Sequence, residues 1–266
     1  MKCKSASLVL TMVAFSFITI FVACKKDDDN DQPVPNAWAI SSNELLSFNL
    51  SSPGSVTSKT ITNLQTGEVI LGIDIRPQNG LLYALGSTSR LYSIDKTSGV
   101  ATAVGTTAFS PVLSGANFGF DFNPTVDRVR VISNTGQNFR LNPETGVVAG
   151  TDVSITPGSP AVSAAAYSNN SAGATTTVLY AIDPSTDKLY KMDSPNNGVL
   201  TEIGSLGIDV DGNNGFDIGG TDNKAYALLN TGAVTKLYSI NLSTGAATAI
   251  GNFQITTKGL AVLPGL

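Results

Sequence analysis

The 266-residue chain contains no histidine, and its two cysteines, Cys3 and Cys24, both lie near the N-terminus. Without an imidazole there is no His-activated nucleophile and no ordinary proton shuttle near neutral pH. The usual zinc, copper and iron sites are also out of reach. With no cysteine beyond position 24, no disulfide staples the rest of the chain, so it must hold together by packing. Trp38 is the only tryptophan, a poor start for a sugar-stacking platform. Sixteen basic residues against twenty acidic ones leave a net charge of −4. No basic cluster exists outside the N-terminal segment, which argues against nucleic acid as a partner. A helical period of apolar residues is missing after the first two dozen positions. Only carboxylates, Lys, Tyr, Ser and Thr remain for chemistry, and this weighs against an enzyme.

The N-terminus does carry a message. Lys2 and Lys4 precede an apolar run from Leu8 to Ala23, which ends in Phe21-Val-Ala-Cys24. A charged start, a short apolar stretch and small residues at the junction are the secretory pattern, and the run is short for a membrane span. The junction resembles a bacterial lipoprotein signal, residues 1–23, with Cys24 as the lipidated residue. An uncleaved anchor is the alternative. Residues 24–35, beginning Cys24-Lys-Lys-Asp-Asp-Asp-Asn-Asp31, have too little apolar surface to fold and read as a solvated tether. The acidic run resembles the surface-export signal of Bacteroidota lipoproteins, although a plain spacer would look similar. The expectation is an outer-membrane lipoprotein, cell-surface exposed on the export reading. Its membrane contact is the lipid, at roughly 0.8 kcal/mol per buried methylene.

From position 36 to 266 the sequence repeats. Leu91-Tyr-Ser-Ile-Asp-Lys-Thr-Ser-Gly-Val-Ala-Thr-Ala-Val-Gly105 returns as Leu237-Tyr-Ser-Ile-Asn-Leu-Ser-Thr-Gly-Ala-Ala-Thr-Ala-Ile-Gly251. Fainter copies occur at Phe139–Gly146 and Leu189–Gly198. A period of this length marks a propeller or solenoid. Each unit reads as four short strands joined by turn residues, such as Ile70–Arg76, Leu81–Leu85, Arg90–Asp95 and Val100–Val104, with Asn79-Gly80 between the first two. Three further sets start near Phe118, Val162 and Asn214. The ends explain each other. One strand, Gly259–Pro264, follows the last set, and three, starting at Ala37, Glu44 and Val56, precede the first. Together they make a fifth unit and close a ring without exposed edges. The sequence thus predicts an all-β, five-bladed β-propeller of four-stranded antiparallel blades, closed by its terminal strands. A six-bladed ring or an open solenoid fits the repeat count less well.

The strings Gly72-Ile-Asp-Ile-Arg-Pro-Gln-Asn-Gly-Leu-Leu-Tyr-Ala-Leu85, Phe118-Gly-Phe-Asp-Phe-Asn-Pro-Thr-Val-Asp-Arg-Val-Arg-Val131 and Gly136-Gln-Asn-Phe-Arg-Leu-Asn-Pro143 resemble the DUF4394 family. The resemblance extends over essentially the whole domain. It implies an exported bacterial repeat protein without an assigned reaction, so no catalytic residues are carried over.

Three groups of residues are candidates for chemistry. Asp74, Asp121 and Asp217 occupy one equivalent position on the inner strands of three blades, where the other two carry Ala166 and Ala261. They could ring the channel mouth and hold a cation or polar ligand, or each could make a repeated structural hydrogen bond. Arg128, Arg130, Gln137, Asn138 and Arg140 cluster in one blade. Arg128 and Arg130 share a strand face, and two guanidinium groups there suit a carboxylate or an anionic sugar. Alternatively they brace the blade against Asp121, Asp127 or Glu144. Asp209, Asp211 and Asn213 imitate the start of a calcium loop. Asn214 stands where that loop needs glycine and Gly220 where it needs a bidentate Glu, so an ordinary turn reads equally well.

The leading expectation is a monomeric, non-enzymatic propeller that needs no cofactor, calcium aside, and binds a protein or glycan at its loop face. The alternative is a carboxylate-dependent hydrolase or lyase acting on extracellular polymer with aspartates at the channel mouth. A bare scaffold is a third reading, since one fold hosts many functions.

Overall fold

The computed structural model describes residues 33–264, apart from 221 and 233. The signal, Cys24 and the tether up to residue 32 lie outside the described residues. No helix among the described residues is long and apolar enough to cross a membrane.

Five four-stranded antiparallel sheets stand around a common axis as a β-propeller. The first blade comprises β4 (Ile70–Ile75), β5 (Leu82–Gly86), β6 (Arg90–Ile94) and β7 (Ala101–Val104). The second comprises β8 (Phe118–Asn123), β9 (Arg128–Ser133), β10 (Asn138–Leu141) and β11 (Val148–Thr151). The third holds β12 (Ala164–Tyr167), β13 (Leu179–Asp183), β14 (Lys188–Met192) and β15 (Thr201–Ser205), with a short 3-10 turn at Pro195–Asn197 before its last strand. The fourth holds β16 (Gly215–Ile218), β17 (Ala225–Asn230), β18 (Thr235–Ile240) and β19 (Ala247–Asn252).

The fifth blade is composite. Its inner strand, β20 (Lys258–Val262), pairs with β1 (Ala37–Ser41), which continues into β2 (Glu44–Asn49) and β3 (Ser52–Thr60). The register Ala37↔Val262, Trp38↔Ala261, Ala39↔Leu260 closes the ring as the split repeat predicts. Two expected boundaries differ. β3 starts at Ser52, four residues before Val56, because the chain turns tightly at Leu50-Ser51 and pairs again at Asn49↔Ser52. β15 starts at Thr201, where the sequence suggests a strand from Gly198, because Gly198 caps the 3-10 turn in a left-handed conformation that no strand adopts.

The core lies between blades. Tyr83, Leu85 and Leu91 of the first blade pack on Phe118, Phe120, Phe122 and Val131 of the second. Trp38, Ile40 and Leu45 of the composite blade pack on Ile70, Ile73 and Tyr92. The other three interfaces follow the same plan. Each sheet is therefore apolar on both faces and stable only when sandwiched. Tyr83, Tyr92, Tyr180, Tyr190, Tyr226 and Tyr238, which recur in register along the repeats, belong to these layers.

Candidate functional site

The inner strands β4, β8, β12, β16 and β20 pack side by side around the axis. Two residues before the repeated Asp/Ala position stand Gly72, Gly119, Ala164, Gly215 and Gly259. This collar of small residues lets the strands approach. A Cβ on Gly215 would lie 2.5 Å from the carbonyl carbon of Gly259, and one on Gly119 would lie 2.6 Å from the Cβ of Ala165. The axial space beside the collar amounts to about 10 Å³, roughly the room of one water.

Asp74, Asp121 and Asp217 therefore lie inside the ring and not at an open mouth, all three buried to within 1% of full burial. Their bonding follows a rule. Each carboxylate accepts a backbone N–H from the inner strand of the next blade: Phe122 N to Asp74 (2.8 Å), Tyr167 N to Asp121 (2.9 Å) and Val262 N to Asp217. Where the preceding blade carries alanine at this position, nothing reaches forward. There Asp74 and Asp217 also accept the N–H of their own successors, Ile75 and Ile218, each at 2.6 Å. Asp121 needs no such bond, because Asp74 already takes the N–H of Phe122.

One oxygen from each carboxylate meets the others within 4.8 Å. No lysine or arginine among the described residues forms an ion pair with them. Burial raises all three pKa values, and for Asp74 and Asp121 repulsion from neighbouring carboxylates adds to it. Asp217 is pushed up to about 7 by burial, against the lowering effect of its two backbone N–H bonds. Chemically the triad can share protons or surround a small cation. It is sealed from any polymer, so a glycosidic bond has no way to come between the carboxylates.

The arginine group occupies a different place. Arg130, on β9, is 2% exposed and fully engaged. Its guanidinium donates to Asp152 (2.6 Å), Asn138 (2.7 Å), Asn196 (2.7 Å) and the hydroxyl of Tyr167 (3.1 Å). Two of these partners, Tyr167 and Asn196, belong to the third blade, so Arg130 ties two blades together. Arg140 donates twice to the same Asp152, at 2.8 Å each, which holds its own pKa up and that of Asp152 down despite the carboxylate's burial. Asn138 is buried and donates to the carbonyls of Val153 and Pro195. Gln137 faces elsewhere, clamping Val112 and Ser114 in the loop before β8.

The bracing partners also differ from those the sequence suggested. Asp127 and Glu144 pair with Arg76 of the first blade, and Asp121 with the backbone of Tyr167. Arg128 makes no ion pair among the described residues. One of its nitrogens donates to the carbonyl of Asp127 (2.8 Å). Arg128, Arg130 and Arg140 line a cleft of about 540 Å³ between the second and third blades, with Asn123, Asn196 and Asn197 across and beside them.

Asp152 and Asn196 escaped the sequence reading because both lie in connections outside the repeated strands. The repeat offered one signal for them, namely that no other blade carries a cluster of arginines needing acceptors.

At the half calcium motif, Asp211 accepts the N–H of Asn213 (3.0 Å) with one oxygen and the amide of Asn230 (2.7 Å) with the other. Asn214 donates to the carbonyl of Asp211 and to Ser163. The segment is thus a turn built on its own side chains, and the exposed Asp209 stands with Asp211 beside a hollow of about 530 Å³.

A family model, "Domain of unknown function (DUF4394)", matches residues 44–261. No curated protein matches the sequence. Among solved structures the chain is similar to PorZ, a surface component of the type-IX secretion system of Porphyromonas gingivalis. That match has 12% identity and a TM-score of 0.43, covering 85% of this chain and 29% of that one. A protein of unknown function from Bacteroides thetaiotaomicron matches at 15% identity and a TM-score of 0.48, over 80% of this chain and 56% of that one. A candidate 6-phosphogluconolactonase from Bacteroides fragilis matches at 18% identity and a TM-score of 0.45, over 84% of this chain and 71% of that one. The chain spans under a third of the first of these proteins and just over half of the second. At such identities the likeness concerns the fold alone.

Proposed function

The chain belongs to the DUF4394 family, and from that premise we propose that it is a non-enzymatic binding propeller, held at the bacterial outer membrane by lipid on Cys24. It binds a protein or glycan of its surroundings and works without a cofactor. The observation that carries this reading is the division of the ring. Its axis is closed by a glycine collar and filled by buried carboxylates, whereas its flank offers a cleft of about 540 Å³ lined by polar side chains. A concave site with a few convergent polar groups is where ligands bind. The hydrolase reading draws less support, because the carboxylates it needs cannot meet a polymer.

The test is to present the full chain, in detergent micelles, to arrays of envelope proteins and surface glycans. Polymer breakdown is followed in parallel. Saturable binding without product supports the reading, and release of product overturns it. Incorporation of an alkyne fatty acid that disappears in Cys24→Ala supports the anchor.

A further inference from the structure

The cleft between the second and third blades gathers arginines. Three of the five arginines in the sequence line it, in a protein whose net charge is −4. Asp152 is the one carboxylate paired with the cleft's three arginines among the described residues, through Arg130 and Arg140. The neighbouring carboxylates Asp127 and Glu144 are already held by Arg76. Asp193, at the edge of the third blade, is paired with Lys191. With Arg76 shared by Asp127 and Glu144, the local balance is still positive by one charge.

The arrangement is also rigid where it has to be. The buried Arg130 bonds Asp152 and Asn196, and Asn138 bonds the carbonyl of Pro195, which ties the Pro195–Asn197 turn to the second blade. Arg128 is half-buried, and Arg140 has about a third of its side chain exposed (33%). Each keeps guanidinium N–H groups that have no acceptor among the described residues: Arg140 bonds through Nε and Nη2, and Arg128 through a single Nη1. Planar forks of this kind match an oxyanion with two parallel bonds. The remaining lining includes Asn123, Ser194 and the exposed Asn196 and Asn197. These amides and hydroxyls both donate and accept, as sugar hydroxyls require. Among the described residues Val126 and Pro195 are its apolar members, and the cleft they line offers no deep apolar anchor for a peptide side chain.

We propose that this cleft is the binding site of an acidic saccharide, with Arg128 and Arg140 gripping its carboxylate or sulfate and the asparagines reading its hydroxyls. The inference rests on the binding-module reading and names the ligand class for it. Arg130 is a positioning residue here, since it acts through Asp152 and Asn196.

The experiment is calorimetric titration of the full chain in detergent with four probes: a uronic-acid oligosaccharide, a sulfated oligosaccharide, a neutral oligosaccharide of equal length, and a poly-glutamate peptide. At least one acidic sugar binds tenfold or more tightly than the neutral one, and its affinity falls as salt rises. The uronate and sulfate arms tell which oxyanion is read. Arg128→Gln weakens that binding at least tenfold with an unchanged melting point, and Arg128→Lys restores part of it. Equal binding of neutral and acidic sugars, or unchanged affinity in Arg128→Gln, overturns the inference while leaving a binding propeller intact. Preference for the peptide overturns it in favour of a protein partner. Failure of both acidic sugars to bind overturns it outright. Breakdown of any probe would overturn the non-enzymatic reading instead.

Discussion

Replacing Asp217 by asparagine should change how stability depends on pH, and its size follows from the axial triad. The carboxyl is fully buried, and its pKa rises from an ordinary value of 3.8 to about 7. The unfolded chain gives up this proton near 3.8, while the folded ring keeps it until about 7. Stability is therefore complete below about pH 3.8, declines as pH rises through the interval, and has lost its full amount once pH passes about 7. At roughly 1.36 kcal/mol per pH decade the loss is about 4 kcal/mol. Asp74 and Asp121 are raised as well and steepen the decline, and the charge of Asp217 acts on both. In Asp217→Asn that charge is gone at every pH. The amide can accept only one of the two backbone bonds from Ile218 and Val262, leaving one N–H unpaired at a pH-independent cost of about 1–3 kcal/mol. Urea unfolding from pH 4 to pH 8 should give curves that converge and cross, with the variant weaker at pH 4 and equal or stronger at pH 8. Parallel curves across that range would refute the idea that an uncompensated charge is buried on the axis.

Three further outcomes are expected. Arg130→Met removes a buried cation that four groups face, and denaturation should show a loss of about 3–5 kcal/mol, because Asp152 keeps only Arg140. Gly215→Ala drives a methyl into the backbone of β20 and should cost about 1–3 kcal/mol in thermal unfolding, whereas alanine at the open position Gly207 meets no atom within 4 Å and strains only its own positive φ. Asp211→Ala strands the N–H of Asn213 and the amide of Asn230. The loss of about 1–3 kcal/mol should be the same in calcium as in chelator, and a loss that grows with calcium would identify a metal site.

The blade count and the ring closure were legible because both are written in the repeat. Units such as Leu91–Gly105 recur, and the half-units at the two ends complement each other. The alignment of Asp74, Asp121 and Asp217 was legible for the same reason. Their sealing depends on residues two positions earlier, and Gly72, Gly119, Gly215 and Gly259 carried that signal in plain view. Glycine in a strand marks close backbone approach as well as a bend, and the pattern across blades decides between them. The arginine cluster was visible as an exception to the repeat, but its partners were not. Asp152 and Asn196 sit in connections, where no periodicity predicts which distant side chain will arrive. Only folded geometry shows that Arg76 takes Asp127 and Glu144, freeing the second blade's arginines for one another's acceptor.

The pairing of β20 with β1 also sets the order of events in biosynthesis. The strand that completes the circle, β20, is made after every other strand of the ring, and its partner β1 is made before them. Four blades can assemble while synthesis proceeds, yet β1 must wait with an open edge until Lys258–Val262 emerge, and contacts between such distant segments form slowly. Asp217 waits with it, because its acceptor bond to Val262 depends on the same strand. A ribosome that stalls short of Lys258 would release a gapped ring with a bare edge on the first-made strand, open to pairing with another chain.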